Sequence, residues 1–261
     1  MSNKIPAVIL AGGLGTRMRE ETEYRPKPMV EIGGQPVLWH IMKNLSTAEI
    51  DEFIVCTGYK GQQIKNYFLN YHTSNHDFTV QIDEHSVVQV HKDEPLEKWK
   101  VTVANTGQNT MTGGRVNRVK KYVNNRRFLV TYGDGLADVN LDALISFHKK
   151  HGKIATVSTV RPMSRFGVMD IGQNGEVLKF REKPQVDDWI NIGFFIFEPE
   201  IFDYLDDECV LEREPLEALA KNGQLRAFQH EGFWQPMDTF RESQLLNEMW
   251  DRNQAPWKTW G

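Results

Sequence analysis

The chain has 261 residues, of which 40% are hydrophobic and 25% charged, with a formal net charge of -4. That length suits one large domain, and the composition is that of an ordinary globular protein, which excludes a disordered, fibrous or repeat-built chain. A slightly acidic balance without a basic stripe excludes a general nucleic-acid or membrane-surface binder, so any phosphate ligand must be held locally.

Near the N-terminus "AVIL" is too short for a signal peptide or a membrane span, and the two cysteines, Cys56 and Cys209, cannot form a disulfide framework. The expectation is a cytoplasmic protein. Along the chain, apolar runs of strand length alternate with stretches of helical period, the pattern of strand-helix-strand units around a mainly parallel sheet. Residues 7 to 10 read as a buried strand, and Val37, Leu38, Ile41, Met42 and Leu45 recur at helical spacing after Pro36. A second strand, "FIVCT" at 53 to 57, precedes a helical face of Ile64, Tyr67, Phe68 and Tyr71. From about residue 76 to 106, alternation at Phe78, Val80 and Ile82 predicts β-structure inserted into the parallel scheme and suited to subunit contacts.

"FLVTY" at 128 to 132 reads as a third strand, followed by a helical face of Leu141, Leu144, Ile145 and His148, and "IATVSTV" at 154 to 160 as a fourth. "IGFFIF" at 192 to 197 reads as a further strand. A helix around Leu216 and Leu219 ends near Asn222 and Gly223, and a last one carries Leu245, Leu246, Met249 and Trp250. With no Gly-, Ser- or Pro-rich linker and no internal repeat, residues 1 to 261 read as a single domain.

The turn after the first strand, "LAGGLGTRM", holds Gly12, Gly13 and Gly15. As a dinucleotide fingerprint it fails, because Met18 stands where the third glycine belongs, and as a P-loop it lacks the Lys-Ser/Thr pair. Two readings remain: a tight strand-to-helix turn, or a cradle whose amides and Arg17 meet a phosphate. Lys27, fixed between Pro26 and Pro28, reads as a cation held for an anion. Asp134, between two glycines after the third strand, reads either as a turn residue or as a ligand on the same sheet edge as the glycine loop. Asp238 in "FWQPMDT", before a helix, reads either as a helix N-cap or a residue near one, or as a second metal-binding carboxylate. Two such carboxylates satisfy Mg²⁺, which takes its other ligands from water and phosphate. The histidines, among them His40, His72, His148 and His230, lack zinc spacing and read as packing or surface residues; Cys56 reads as core. No G-x-S-x-G turn is present.

Taken together, "LAGGLGTR", "RPKPMVEIGG", "GYKG", "TGGR", "YGDG", "REKP", "FWQPMDT" and "APWKTW" resemble the sugar-1-phosphate nucleotidylyltransferases over essentially the whole chain. "MTGGR", "FWQPMDT" and "APWKTW" point to the cytidylyl branch. The resemblance implies a Rossmann-like α/β fold with a mixed, mainly parallel sheet flanked by helices, an inserted β-region and a sugar-binding and C-terminal part from about residue 160. It implies that Leu10, Ala11, Gly12, Gly13, Leu14, Gly15, Thr16, Arg17 and Met18 hold the nucleotide, with Lys27, Thr110, Gly114, Arg115 and Gly133. Arg17, Lys27 and Asp134 would be catalytic, and Asp134 and Asp238 would hold Mg²⁺. Tyr132, Glu182, Lys183, Asn191 and Gly193 would meet the sugar phosphate. CTP and glucose 1-phosphate are the implied substrates, and a homo-oligomer, also suggested by Trp257 and Trp260, the implied assembly. Ile192 departs from the family's N-G-G pattern and adds bulk beside the hexose, and Arg25 stands where lysine is frequent. The same reaction with UTP, dTTP or another hexose phosphate is the near alternative, and a silent nucleotide-sugar-binding subunit the distant one.

Overall fold

The computed structural model describes residues 4–82, 87–91, 96–164 and 166–260, without the side chains of residues 17, 19 and 20. Its centre is a seven-stranded sheet formed by β1 (Ala7–Ala11), β2 (Glu52–Thr57), β3 (Lys100–Asn105), β4 (Phe128–Tyr132), β5 (Ala155–Val160), β6 (Ile190–Phe197) and β7 (Leu225–Gln229). The spatial order is β7-β5-β6-β4-β1-β2-β3. Strands β3, β2, β1 and β4 run parallel, and so do β5 and β7; β6 alone is antiparallel to its neighbours β4 and β5.

Every residue of β1 is buried, as expected for a strand covered on both faces. The pleat sends Ala7, Ile9 and Ala11 to one side and Val8 and Leu10 to the other, and each set joins a separate core. The first core packs helices α1 (Val37–Ser46), α4 (Leu141–His151) and α6 (Phe240–Asp251) through residues such as Leu38, Leu144 and Leu246. The second packs α3 (Thr112–Arg118) and α5 (Glu214–Lys221) through Val116, Leu216 and Leu219. Helix α2 (Gly61–Leu69) follows β2, and Ile64 buries it. The result is the three-layer α/β arrangement that the alternating pattern predicts.

Three differences from the sequence reading have physical causes. Among the described residues the inserted β-region is smaller than 76 to 106: the hairpin Phe78–Gln81 with Val87–Val90 stands apart, while residues 100–105 pair with β2 in parallel and become the sheet edge. Second, the predicted helical face through Tyr71 is broken at Asn70, and Tyr71 begins a separate short helix, Tyr71–Asn75. Third, Trp257 is fully buried against its own chain, donating to His40 Nδ1 at 3.4 Å, and Trp260 lies edge-on to Trp39, so neither tryptophan is an argument for subunit contact. Short β-pairs the periodicity did not disclose include the exposed hairpin Val168–Ile171 with Val177–Arg181, and Gly135–Ala137 with Trp234–Pro236. Among the described residues no helix is long and apolar enough to cross a membrane.

Candidate functional site

Strands β1 to β4 deliver their C-terminal ends to one edge of the sheet, where open α/β sheets bind ligands. There the glycine loop meets a buried cation. Arg115 on α3 is 4% exposed, and its guanidinium donates to the carbonyls of Thr57 (3.3 Å), Gly107 (2.8 Å), Gln108 (3.2 Å) and Gly12 (3.0 Å) and to Thr106 Oγ1 (2.8 Å). No carboxylate joins it among the described residues. One charged fork thus ties the ends of β1, β2 and β3 together, and burial lowers its pKa below the usual guanidinium value. Side chains are excluded where it lies: a Cβ on Gly12 would overlap the guanidinium, and one on Gly58 would come within 2.6 Å of the Gly107 carbonyl. This explains "GYKG" and the arginine of "TGGR", segments whose local role was not evident from spacing.

The loop is therefore tied down through its carbonyls. Gly12 O also accepts from Tyr59 N–H, Leu10 O from Gly133 N–H, and Gly15 O from Met18 N–H and the Thr22 hydroxyl. The amides of Gly13, Leu14 and Gly15 meet no acceptor among the described residues. At Gly13 a Cβ would face open space, and Gly15 takes a positive φ of 63° that favours glycine. Bare amides above a buried cation make an anion-binding edge.

Lys27, bracketed by Pro26 and Pro28, opens a short turn, Lys27–Met29. The residue is 8% exposed, and its ammonium lies 2.6 Å from Asp134 Oδ2 and 2.5 Å from Asp238 Oδ1. Asp134 sits in the turn after β4. Asp238 reaches it because Trp234–Pro236 pairs with Gly135–Ala137 and Met237 N–H donates to Asp134 O at 2.8 Å. The cap of α6 is Thr239, in a reciprocal capping box with Glu242, so Asp238 is not the cap, and its carboxylate meets Lys27. Among the described residues no group of three or more His, Cys, Asp or Glu is assembled, but two carboxylates with phosphate and water suffice for Mg²⁺.

The glycine loop, Arg115, Lys27 and Asp134 line a cavity of about 340 Å³, with Asp238 outside its lining, behind Lys27. Of the residues singled out in the sequence, Leu10, Ala11, Gly12, Gly13, Gly15, Thr16, Lys27, Thr110, Arg115, Tyr132, Gly133 and Asp134 line it, joined by Pro28, Met111, Thr112 and Val210. Asp134, Tyr132, Asn191 and Ile192 line a neighbouring cavity of about 50 Å³, and Gly193 backs it with φ 83° beneath the Tyr132 ring. Others lie apart. Leu14 is 47% exposed, and Met18 is buried in the first core. Gly114 donates its amide to Cys209 O and packs on Asp207 O, so the glycine pair of "TGGR" serves close approach of residues 207 to 209 and not a phosphate. Glu182 and Lys183 are exposed at the end of the Val177–Arg181 strand, outside both cavities. Arg25 forms outward ion pairs with Glu21 and Glu31. The Arg17 side chain lies outside the described residues.

The nucleotidyl transferase family model matches residues 6–238 of the chain. The chain belongs to this family. A glucose-1-phosphate cytidylyltransferase of Salmonella typhi is 52% identical over 97% of this chain and 99% of its own, and a probable one of Bacillus subtilis is 44% identical over 97% and 99%. Among solved structures, HddC from Yersinia pseudotuberculosis superposes with a TM-score of 0.68 at 25% identity, over 94% of this chain and 99% of its own. A UDP-glucose pyrophosphorylase in complex with UDP-glucose has a TM-score of 0.69 at 20% identity, over 96% and 99%, and shares the fold. As a nucleotidyl transferase, the chain has its glycine loop, Lys27 and Asp134 within the matched segment, and Asp238 at its last residue.

Proposed function

We propose that this nucleotidyl transferase joins CTP to α-D-glucose 1-phosphate, giving CDP-glucose and pyrophosphate. The observation that carries the reading is one ammonium, Lys27, held between two carboxylates at the rim of an open-amide glycine loop. The naming of the relatives supports cytidine and glucose.

The sugar phosphate is already an anion at neutral pH, so the chain need supply no covalent nucleophile. A phosphate oxygen of glucose 1-phosphate attacks the α-phosphorus of CTP in line; the new P–O bond forms as the bond to the β-phosphate breaks, and its electron pair leaves with pyrophosphate. The amides of Gly13, Leu14 and Gly15 and the charge of Arg115 beneath them hold the triphosphate, and the charges of Lys27 and Arg17 neutralise the leaving group. Asp134 and Asp238 offer the hard oxygen pair that suits Mg²⁺, which when bound would withdraw charge from phosphate oxygens. Tyr132 and Asn191 would wall the hexose side, with Glu182 and Lys183 reaching the sugar phosphate from the end of their strand. The exposed Phe78 and Val80 of the inserted hairpin support assembly into a homo-oligomer.

The test is pyrophosphate release with Mg²⁺, glucose 1-phosphate and each nucleoside triphosphate in turn. CTP should give the highest kcat/KM. Preference for UTP or dTTP would overturn the base assignment, and no release with any pair would leave a binding subunit.

A further inference from the structure

Residues 206 to 212 cross the start of α3, with Cys209 O accepting from Gly113 and Gly114, and end at Glu212. One Glu212 carboxylate oxygen accepts the Tyr132 hydroxyl, and the other accepts Thr112 Oγ1 at 2.6 Å. Thr112 Oγ1 in turn accepts from Leu211 N–H at 3.0 Å. Among the described residues no cation pairs with Glu212. It stands behind the cavity wall: Tyr132 and Thr112 line the larger cavity, and Glu212 does not.

A half-buried carboxylate with no counter-ion among the described residues, beside a pocket proposed for a multiply charged anion, repels that anion. Its two hydroxyl partners indicate what offsets that cost. Tyr132 is the wall shared by the two cavities, and Asp134 follows it by two residues. Its ring lies on Gly193, where no side chain fits. Hydrogen bonds to a charged acceptor are stronger than neutral ones, so Glu212 fixes the ring's far end as Gly193 fixes its face. The same carboxylate grips Thr112, the first residue of the helix that carries Arg115.

We infer that Glu212 is a positioning residue for the sugar-phosphate side of the site, acting through the Tyr132 hydroxyl. The inference rests on the reaction proposed above. Losing the carboxylate frees the ring to turn, which enlarges the hexose side while the glycine loop and Arg115 keep their own bonds.

Initial rates of pyrophosphate release test it in the full chain, with KM measured separately for each substrate. Glu212→Ala and Tyr132→Phe should each raise KM for glucose 1-phosphate roughly tenfold and change KM for CTP by less than about twofold. The double variant should be no worse than Glu212→Ala alone, because that variant has already lost the Tyr132–Glu212 bond that Tyr132→Phe removes. Glu212→Gln, whose amide oxygen still accepts from Tyr132, should return to within about threefold of wild type. Equal rises in both KM values, additive losses, or a Gln variant no better than Ala would overturn the inference while leaving the reaction standing. An inert wild type would overturn both.

Discussion

The Lys27 ammonium touches Asp134 and Asp238 together, so its removal deletes the proposed phosphate ligand and also takes a positive charge from both carboxylates. Lys27→Ala should lower turnover on the order of a hundredfold or more, the usual loss for one electrostatic contact of this kind. In thermal melts Mg²⁺ should stabilise that variant more than wild type, since the ammonium no longer competes for the pair. Residues far from the chemistry respond to pH instead. Burial pushes the His40 pKa down to about 4, while its Nε2 donates to Ile32 O at 2.8 Å. His148 is pushed to about 4 by burial as well. An unfolded histidine takes up its proton near pH 6.5, so between about pH 6.5 and 4 the unfolded chain binds more protons than the folded one. Stability should be complete above that window and fall as pH drops through it. Melting temperatures across the window should show the slope, and His40→Gln should flatten it.

At the scale of elements, β1, β2, β4 and β5 and their helices were legible because these strands are buried almost throughout and read as short runs of β-branched and apolar residues. The hairpins were not. Val168–Ile171 with Val177–Arg181 is largely exposed, so no core imposes a period on it, and β7 carries polar side chains on an edge strand. The site divides the same way. Lys27 and Asp134 stand out through neighbouring prolines and glycines, whereas the hub at Arg115 joins loops nearly fifty residues and more apart in sequence, which spacing cannot disclose. Arg115→Lys tests that hub. An ammonium cannot reproduce a fork spread over five acceptors. The variant should melt lower, and its KM for CTP should rise roughly tenfold or more, with a smaller change for the sugar phosphate.

For the whole molecule, the C-terminal segment acts as a buried peg. Trp257 is among the largest fully buried side chains, stacked on Phe233 and held by Asn44 Nδ2 donating to its carbonyl at 3.0 Å. "APWKTW" signalled kinship in the sequence; its physical work is to close the core over α1. Trp257→Ala should cost about 3–5 kcal/mol, read by denaturant titration, with kcat/KM nearly unchanged below the melting transition. The seat of Lys27 bears on how the fold is made. Two acidic side chains more than a hundred residues apart would repel as the chain closes, yet the protein carries its own counter-ion to that meeting point. If Mg²⁺ sits on these carboxylates as proposed, the fold should depend little on it: a chelator should stop catalysis at once and lower the melting temperature of the wild type less than that of Lys27→Ala.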